Sequence, residues 1–265
     1  MNAPRIFDAK HYESYNIARE AVVRNTLSGI SGQVPLRTGL DVGCGLGYFS
    51  SLLNSLGLHV TGVDGRQENV KEAARRIPHV SFHTGNIEDP RLPDMGRFDL
   101  VLCLGLLYHL ENPFLAIRSL HSLTDKILFV ESMCAPGTDP SMQLLDEFHA
   151  EDQGLNYVAF YPTESCLVKM LYRAGFPFVF ALTTPPDHTD FHATKGRRKA
   201  RTMLVASNSQ LDTARLALLQ ELNRPWDIWS IPAKPWRLQL SRLANIGRKF
   251  ATHLRPRSLG ARKAK

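Results

Sequence analysis

The sequence lacks the marks of a secreted, disulfide-bonded or membrane-spanning protein. It contains only four cysteines, which are widely spaced and form no Cys-x-x-Cys pair, so neither a disulfide framework nor a cysteine-based zinc site is expected. It contains no uncharged apolar run of about 18 residues, the length that a bilayer-spanning helix needs. Its first residues lack the apolar core of a secretory signal. These absences predict a cytoplasmic protein whose thiols are reduced.

Acidic residues are scarce in the last part of the chain. Residues 195–265 contain 17 Lys and Arg but only three acids, whereas residues 1–194 contain 15 basic and 22 acidic residues. All three tryptophans also lie in the basic part. Such an asymmetry indicates either an anionic partner, which would be RNA or a membrane surface, or a solvated basic tail without a partner.

Residues 208–265 are predicted to form a basic, tryptophan-containing helical extension. Apolar residues recur there at intervals of three and four, and basic residues lie off that stripe, as in a basic amphipathic helix. Such a helix can lie on an anionic membrane, which would place the protein peripherally at the inner membrane surface, or it can pack back on its own domain. The residues of the stripe are Trp236, Leu240, Leu243, Ile246, Phe250 and Leu254.

Short apolar segments alternate with amphipathic segments through the middle of the chain. Helical spacing over 11–28 predicts an N-terminal helical segment, residues 1–34, ahead of this alternation. The alternation predicts an α/β fold over residues 35–207, with a Rossmann-like, doubly wound, mostly parallel sheet of seven strands. The last two strands are expected to pair as a hairpin. The predicted strands are 39–42, 58–63, 79–84, 98–104, 126–132, 176–182 and 202–206, and the predicted helices are 47–56, 66–76, 112–122 and 163–174.

Residues 134–161 interrupt this alternation. The segment contains a Pro-Gly pair, a run over 141–149 that is predicted to be helical, and a further glycine-containing stretch. Because it follows the fifth strand, it is expected to lie above the carboxyl edge of the sheet. We therefore expect an insertion that covers the acceptor site.

The most specific motif follows the first predicted strand. Asp41, Gly43, Gly45 and Gly47 alternate with other residues, and Tyr48 occupies the place of the third glycine in a dinucleotide fingerprint. Glycines at such a turn let a ligand approach the backbone closely. The pattern predicts a nucleotide-type pocket and argues against a dinucleotide.

A carboxylate, Asp64, ends the second predicted strand. An acid at this place in dinucleotide folds accepts hydrogen bonds from ribose hydroxyls. The alternative is that the glycines form only a tight turn and that Asp64 caps a helix.

The pattern acid-x-Gly-x-Gly-x-Gly resembles motif I of the class I S-adenosylmethionine (SAM) methyltransferases. The resemblance implies SAM as the cofactor, with Asp64 at its ribose and with Asn86 and Ile87, which follow the third strand, beside its adenine. Many members of this family have Asp where this chain has Asn86. The resemblance also implies that Asp41 helps to hold the methionine amino group.

A second specific stretch follows the fourth predicted strand. It places Leu104 and Tyr108 at the cofactor and His109 near the sulfonium. An imidazole titrates close to neutral pH, so His109 is the candidate general base for a hydroxyl acceptor. The alternative is that His109 caps the following turn or pairs with Glu111.

Within the superfamily, the Leu-Tyr-His-Leu run resembles the catalytic domain of the tRNA wobble-uridine carboxymethyltransferases, which use a carboxylated SAM. The resemblance implies that Tyr108 and Arg201 would face the extra carboxylate. In that family a Lys from an N-terminal extension completes the site, and fewer than 40 residues precede the first strand here, so ordinary SAM is expected. The residues expected at the substrate are Glu131, Tyr161 and Arg201, although Glu131 could instead satisfy backbone donors.

These patterns predict a SAM-dependent methyltransferase that acts on an oxygen or nitrogen of a small-molecule, sugar or glycan-lipid acceptor. Two alternatives remain open. One is an RNA-modifying enzyme of the tRNA wobble-uridine type that transfers a methyl or carboxymethyl group, and the other is a non-catalytic binding protein with a methyltransferase fold. No metal is expected, because the His- and Asp-containing loop 187–192 is typical of a solvated turn.

Overall fold

The computed structural model describes residues 6–150 and 152–221. Strands and helices alternate in the predicted order, and each element predicted within residues 11–133 and 163–206 forms within a few residues of its expected place. Single 3-10 turns occur at Ile6–Asp8, Leu92–Met95, Leu107–His109 and Thr189–Phe191. The elements are α1 (Lys10–Gly29), β1 (Thr38–Val42), α2 (Tyr48–Ser55), β2 (His59–Asp64), α3 (Gln67–Arg76), β3 (Ser81–Thr84), β4 (Phe98–Leu104), α4 (Pro113–Leu123), β5 (Thr124–Met133), β6 (Met142–Asp146), β7 (Val158–Pro162), α5 (Glu164–Ala174), β8 (Phe178–Leu182), β9 (Arg201–Ser207) and β10 (Leu216–Leu218).

The main sheet has the order β10-β8-β9-β5-β4-β1-β2-β3. Strands β3, β2, β1, β4 and β5 pair in parallel, and β9, β8 and β10 extend the sheet in antiparallel fashion. The predicted α/β, Rossmann-like and mostly parallel sheet is therefore confirmed, as is the β8–β9 hairpin. The strand count is eight instead of seven, because residues 216–218 pair with β8. A three-residue strand is too short to show a periodic pattern in the sequence.

The main sheet is covered on both faces. Alternate residues of β4 point to opposite sides, so that Val101 and Cys103 join one buried cluster while Leu100 and Leu102 join the other. Helices α4 and α5 supply apolar residues to the first cluster, and α1 and α2 supply them to the second. This two-sided burial explains why the strands are continuous apolar runs in the sequence.

The insertion differs from its prediction. The expected helix over 141–149 is wrong, because Met142–Asp146 form β6, which pairs antiparallel with β7 in a separate two-stranded sheet. A run of this length can satisfy helical or strand spacing equally, and here the pairing with β7 decides between them. Residues 152–156 of the connection between these strands lie near the carboxyl ends of β1 and β2.

Two predictions concern the end of the chain. Residues 208–221, which the sequence assigns to a helical extension, contain β10 and no helix. The predicted amphipathic helix and the three tryptophans lie outside the described residues. Among residues 6–150 and 152–221, no helix is both long enough and apolar enough to cross a bilayer.

Candidate functional site

A continuous cleft opens at the carboxyl ends of β1, β2 and β4. It consists of two adjoining cavities, both lined by Gly43, Gly45, Gly105 and His109. The first, of about 130 Å³, also contains Asp64 and is called the Asp64 cavity. The second, of about 420 Å³, extends below α1 to Arg201 and is called the Arg201 cavity. Ligands of open parallel sheets bind at this edge, where neighbouring strands lead to opposite sides.

The glycine turn after β1 needs its glycines. Gly43, Gly45 and Gly47 have φ angles of +75°, +52° and +90°, a backbone region that side chains other than glycine's rarely adopt. A Cβ on Gly47 would lie 2.7 Å from Ile77 Cδ1, whereas a Cβ on Gly45 would project into open space. A side chain at Gly47 would therefore clash with the protein, whereas the space next to Gly45 is free for a ligand.

Asp64 is held at the end of β2 by donors from three directions. Its Oδ2 accepts from the backbone N–H of Gly45 at 2.9 Å, and its Oδ1 accepts from the backbone N–H of Arg66 at 2.8 Å and from Asn69 Nδ2 at 3.1 Å. The carboxylate remains half-buried and lines the Asp64 cavity. Asp64 therefore holds the start of α3, and it keeps acceptor capacity on the side of the cavity, so its predicted role at a ribose stays a prediction.

The residues implied to border the adenine lie in the same cavity. Asn86 and Ile87 follow β3, and both line the Asp64 cavity. The side-chain oxygen of Asn86 accepts from the backbone N–H of Glu88 at 3.0 Å, which leaves its amide nitrogen as the donor available to a ligand. Ile87 is buried and supplies an apolar surface.

Asp41 lies below the glycine turn and lines neither cavity. It is only 2% exposed, and its Oδ2 accepts from Ser50 Oγ at 2.7 Å. Burial raises the pKa of Asp41 to about 7. Its geometry is that of a group supporting the turn from within the protein.

Tyr108 and His109 sit on the 3-10 turn after β4. Their ring centroids are 4.0 Å apart, and the phenol oxygen of Tyr108 accepts from Arg201 Nη2 at 3.0 Å. Burial raises the pKa of Tyr108. Both residues line the Arg201 cavity, as does Leu104 at the end of β4.

The partner of His109 is not the one considered from the sequence. Its Nδ1 hydrogen-bonds Glu147 Oε1 at 2.5 Å, whereas no contact joins it to Glu111 within the described residues. Glu147 follows β6 in the insertion, and its other oxygen accepts from the backbone N–H of Gly154 at 2.8 Å. Sequence reasoning missed Glu147 because it took this segment for a helix.

A buried ion cluster lies at the floor of the Arg201 cavity. Glu131 is fully buried, and its two oxygens accept from Arg19 Nη2 at 2.6 Å and from Arg201 Nη1 at 3.0 Å. Burial alone would lower the pKa of Arg201, but Glu131, Tyr108 and Tyr15 together outweigh it, and the pKa is raised. The Tyr15 ring packs against both guanidinium groups, whose Cζ atoms lie 4.4 Å and 5.0 Å from its centroid.

The cluster changes how two of the sequence-predicted substrate residues are placed. The hydrogen bonds to the Glu131 carboxylate come from two arginine side chains, Arg19 and Arg201, and not from backbone donors. Tyr161 lines neither cavity and meets Tyr108 edge-on, with ring centroids 5.7 Å apart. Arg201 does line its cavity. The sequence did not predict Arg19 and Tyr15 as site residues, because they lie on the N-terminal helix α1 and belong to no recognisable motif.

The loop between β6 and β7 covers the Asp64 cavity. Its residues 152–156 line that cavity opposite the glycine turn. Arg66 Nη2 donates to the carbonyl oxygens of Gln153 and Gly154 at 2.9 Å and 3.4 Å, and the Tyr12 hydroxyl donates to Asp152 Oδ2 at 2.6 Å. The insertion therefore reaches the Asp64 side of the cleft as well as His109.

No group of three or more His, Cys, Asp or Glu side chains is placed to hold a metal ion within residues 6–150 and 152–221. In the loop that has metal-like residue types, His188 Nδ1 accepts from the backbone N–H of Asp190 at 3.3 Å, and its ring lies 4.1 Å from that of Tyr15.

Comparison with known proteins supports the methyltransferase interpretation. The family described as "Methyltransferase domain" matches residues 40–126. The tRNA U34 carboxymethyltransferase of Tolumonas auensis is 29% identical over 163 residues, which are 57% of this chain and 48% of that protein. The ubiquinone biosynthesis O-methyltransferase of Maricaulis maris is 34% identical over 114 residues, which are 39% of this chain and 44% of that protein. The matches thus cover slightly less than half the length of these curated relatives.

Solved structures share the fold. The N-terminal domain of EvdMO1 with S-adenosylhomocysteine (SAH) bound has a TM-score of 0.59 at 21% identity, over 71% of this chain and 80% of that one. Magnesium protoporphyrin IX methyltransferase (ChlM) from Synechocystis PCC 6803 with bound SAM has a TM-score of 0.51 at 20% identity, over 79% of this chain and 86% of that one.

Proposed function

We propose that this chain, which contains a class I methyltransferase domain with SAM as its cofactor, transfers a methyl group to an oxygen or nitrogen of a small-molecule, sugar or glycan-lipid acceptor. The observation that carries the proposal is the continuity of the cleft. The Asp64 cavity contains a carboxylate, an amide and an apolar surface that suit a nucleoside, and the Arg201 cavity has room for a second molecule. His109 lines both cavities.

The residues of the Asp64 cavity fit SAM. The backbone at Gly45 is open to close approach, the Asp64 carboxylate is aligned by backbone donors, and Ile87 offers an apolar surface beside the Asn86 amide. SAM supplies an electrophilic methyl carbon, whose bond to sulfur breaks with the electron pair going to sulfur as the acceptor forms its new bond. The protein mainly has to align the two reactants, and alignment can supply much of the reduction of the barrier.

An oxygen acceptor also needs to lose its proton. With Nδ1 donating to Glu147, the neutral imidazole of His109 carries its lone pair on Nε2. Nε2 can then accept the proton of an acceptor hydroxyl in the same cleft. We therefore assign His109 the role of general base.

Calorimetric titration with SAM tests the cofactor assignment. The Asp64→Ala variant should lose measurable SAM binding, because the mutation removes the acceptor for the ribose and the anchor of the turn at Gly45. Asp94→Ala is the matched control, since Asp94 is exposed and lines neither cavity. Undiminished SAM binding by Asp64→Ala would contradict the proposal.

The acceptor is identified by product mass. Wild-type protein is incubated with methyl-labelled SAM and a metabolite extract, and the labelled product is isolated. Label in a small molecule or glycan-lipid supports the proposal, label in RNA supports the alternative below, and no transfer to any fraction would favour a non-catalytic binding protein.

A second candidate is an RNA-modifying carboxymethyltransferase. The hydrogen bond between Arg201 and the Tyr108 hydroxyl favours it, because both residues match those that hold the extra carboxylate in the family that the sequence resembles. Against it, the Arg201 guanidinium already bonds to the Glu131 carboxylate. Titration of the wild type with SAM and with carboxy-SAM decides between them, since tighter binding of the carboxylated form would reverse our preference.

We place the protein in the cytoplasm. The four cysteines, Cys44, Cys103, Cys134 and Cys166, form no disulfide, and burial raises the pKa of each thiol, which keeps it protonated and unreactive. The predicted contact of the basic extension with RNA or an anionic membrane falls on residues outside the described part of the chain. Co-sedimentation of the full chain with neutral and anionic vesicles tests the membrane contact, and equal pelleting would contradict its electrostatic part.

A further inference from the structure

We propose that Glu147 is a positioning residue that fixes the ring of His109, and that it ties this orientation to residues 152–156, which line the Asp64 cavity. The inference rests on the proposed function, because an oriented base matters only if a proton is removed during transfer. It adds a residue from a different element to the site, and it gives the insertion a chemical role.

The contact between Glu147 and His109 is close and shielded. Glu147 Oε1 lies 2.5 Å from His109 Nδ1, and the two side chains are only 5% and 11% exposed. A carboxylate can only accept, so the proton between them belongs to Nδ1 and the lone pair of the neutral ring lies on Nε2. A carboxylate that bonds one ring nitrogen commonly sets the tautomer of a functional histidine in this way.

The second oxygen of Glu147 ties the same carboxylate to the loop. Oε2 accepts from the backbone N–H of Gly154 at 2.8 Å. A Cβ on Gly154 would lie 2.5 Å from the carbonyl oxygen of His109, so the loop backbone rests directly on the turn that carries His109. The loop, the carboxylate and the imidazole thus form one packed unit.

The loop is also fastened to the Asp64 cavity. Arg66, whose backbone N–H bonds Asp64, donates through its side chain to the carbonyl oxygens of Gln153 and Gly154. Leu155 packs against Gly65, where a Cβ would lie 2.9 Å from Leu155 Cδ1. The same segment therefore contacts both the residues that follow Asp64 and the turn that carries His109.

The hydrogen bonds of Glu147 predict how the substitution Glu147→Gln would change the position of the proton on the His109 ring. The two oxygens of Glu147 accept from two donors, the Nδ1–H of His109 and the N–H of Gly154. Glutamine has one acceptor and one donor at the same places. If its oxygen stays on Gly154, its NH2 group donates to Nδ1 and leaves the imidazole proton on Nε2, where it blocks the base.

The test reads the tautomer of His109 from the ring nitrogen shifts in nuclear magnetic resonance, in the full chain with and without SAH. The wild type should show Nδ1–H, Glu147→Gln should show Nε2–H, and the control Asp146→Asn should match the wild type. Asp146 is the preceding residue, and its exposed side chain lines neither cavity. The His109 signals are those lost in His109→Asn.

The rate of transfer is the second readout. With methyl-labelled SAM and the metabolite extract as acceptor source, Glu147→Gln should lower the rate of label transfer by about 10²–10⁴-fold, the usual contribution of a general base. The affinity for SAM and the melting temperature should stay close to those of the wild type, and Glu147→Asp should recover part of the rate. A purely structural role would instead lower the melting temperature and the rate together.

If Glu147→Gln does not fold, Gly154→Ala replaces it, because its Cβ must push the loop away from His109 and loosen the same contact. An unchanged tautomer in the folded variant, Nε2–H in the wild type, or an equal effect of Asp146→Asn would overturn the inference. Failure of the wild type to bind SAH would contradict the proposed function instead, and the tautomer comparison could still be made without SAH.

Discussion

The two cavities of the cleft are built in different ways. One wall of the Asp64 cavity, which carries the glycine turn and Asp64, is made from the ends of parallel strands that adjoin in the sheet. The Arg201 cavity is closed by side chains from distant parts of the chain, such as Arg19, which lies 112 residues from its partner Glu131, and Arg201, which lies 93 residues from Tyr108. This wall of the Asp64 cavity is held by the backbone conformation of the glycine turn, whereas the Arg201 cavity is held by pairs of side chains.

The largest expected effect tests the side-chain pairing of the Arg201 cavity. Glu131→Gln removes the only carboxylate between two nearly buried arginines, and breaking a buried ion pair from one side costs about 3–5 kcal/mol. We expect the free energy of unfolding, measured with urea, to fall by that amount. The control Glu72→Gln, whose partly exposed carboxylate pairs with two more exposed arginines, should change it far less.

A small effect of Glu131→Gln would break the comparison. It would mean that the two guanidinium groups have another source of compensation, and the Arg201 cavity would then not depend on this pairing.

The next effect tests the backbone of the glycine turn after β1. Gly47→Ala adds a Cβ at a φ of +90°, 2.7 Å from Ile77, so both strain and crowding should lower the free energy of unfolding, by about 2–4 kcal/mol in all. Gly57→Ala is the control, because Gly57 has a φ of +83° and nothing within 4 Å of its Cβ position, so it should show the effect of a positive φ without the crowding.

Urea unfolding of the two variants measures the difference. Equal losses would show that packing against Ile77 contributes nothing and that the turn is held by conformation only.

The smallest expected effect is a pH dependence of the free energy of unfolding that comes from Asp41 below the glycine turn. Burial raises the pKa of Asp41 to about 7 from an ordinary value near 4, so the folded protein keeps a proton that the unfolded chain releases. Stability should therefore fall as the pH rises through this interval and level off above about pH 7. From pH 5 to pH 7 the loss amounts to about 2–3 kcal/mol, at 1.4 kcal/mol for each unit.

Asp41→Asn has no proton to lose and should not show this slope. Urea unfolding of both proteins at pH 5 and pH 7.5 measures the difference between them. Parallel pH dependence in the two proteins would mean that Asp41 ionises normally, and the turn would then need another explanation for the burial of this acid.

The elements that the sequence predicted correctly are those whose formation depends on local properties of the chain. The parallel strands were predictable because burial on both faces requires uninterrupted apolar runs, and the glycine turn was predictable because positive φ angles require glycine. The β6 strand was predicted as a helix, and β10 was missed, because each depends on pairing with a strand that sequence spacing does not identify.

The side-chain contacts of the cleft were the hardest to foresee. Glu147 was overlooked because its segment has no motif, and its role depends on the loop folding back on His109. Arg19 lies on a helix without any distinctive pattern and becomes notable only when Glu131 is found buried beneath it. Neither the contact between Glu147 and His109 nor that between Arg19 and Glu131 can be recognised from residues that are neighbours in the sequence.

The sequence by itself determined the sheet, the turn over Gly43–Gly47 and the placement of Asp64 at its edge, since strand spacing and glycine conformation are local properties of the chain. Only the tertiary structure decided that Glu131 is a buried partner of two arginines, that Tyr161 supports Tyr108, and that Glu147 is the partner of His109. These contacts depend on the folding of distant segments against one another, and the energy of a buried charge is set by what surrounds it in space.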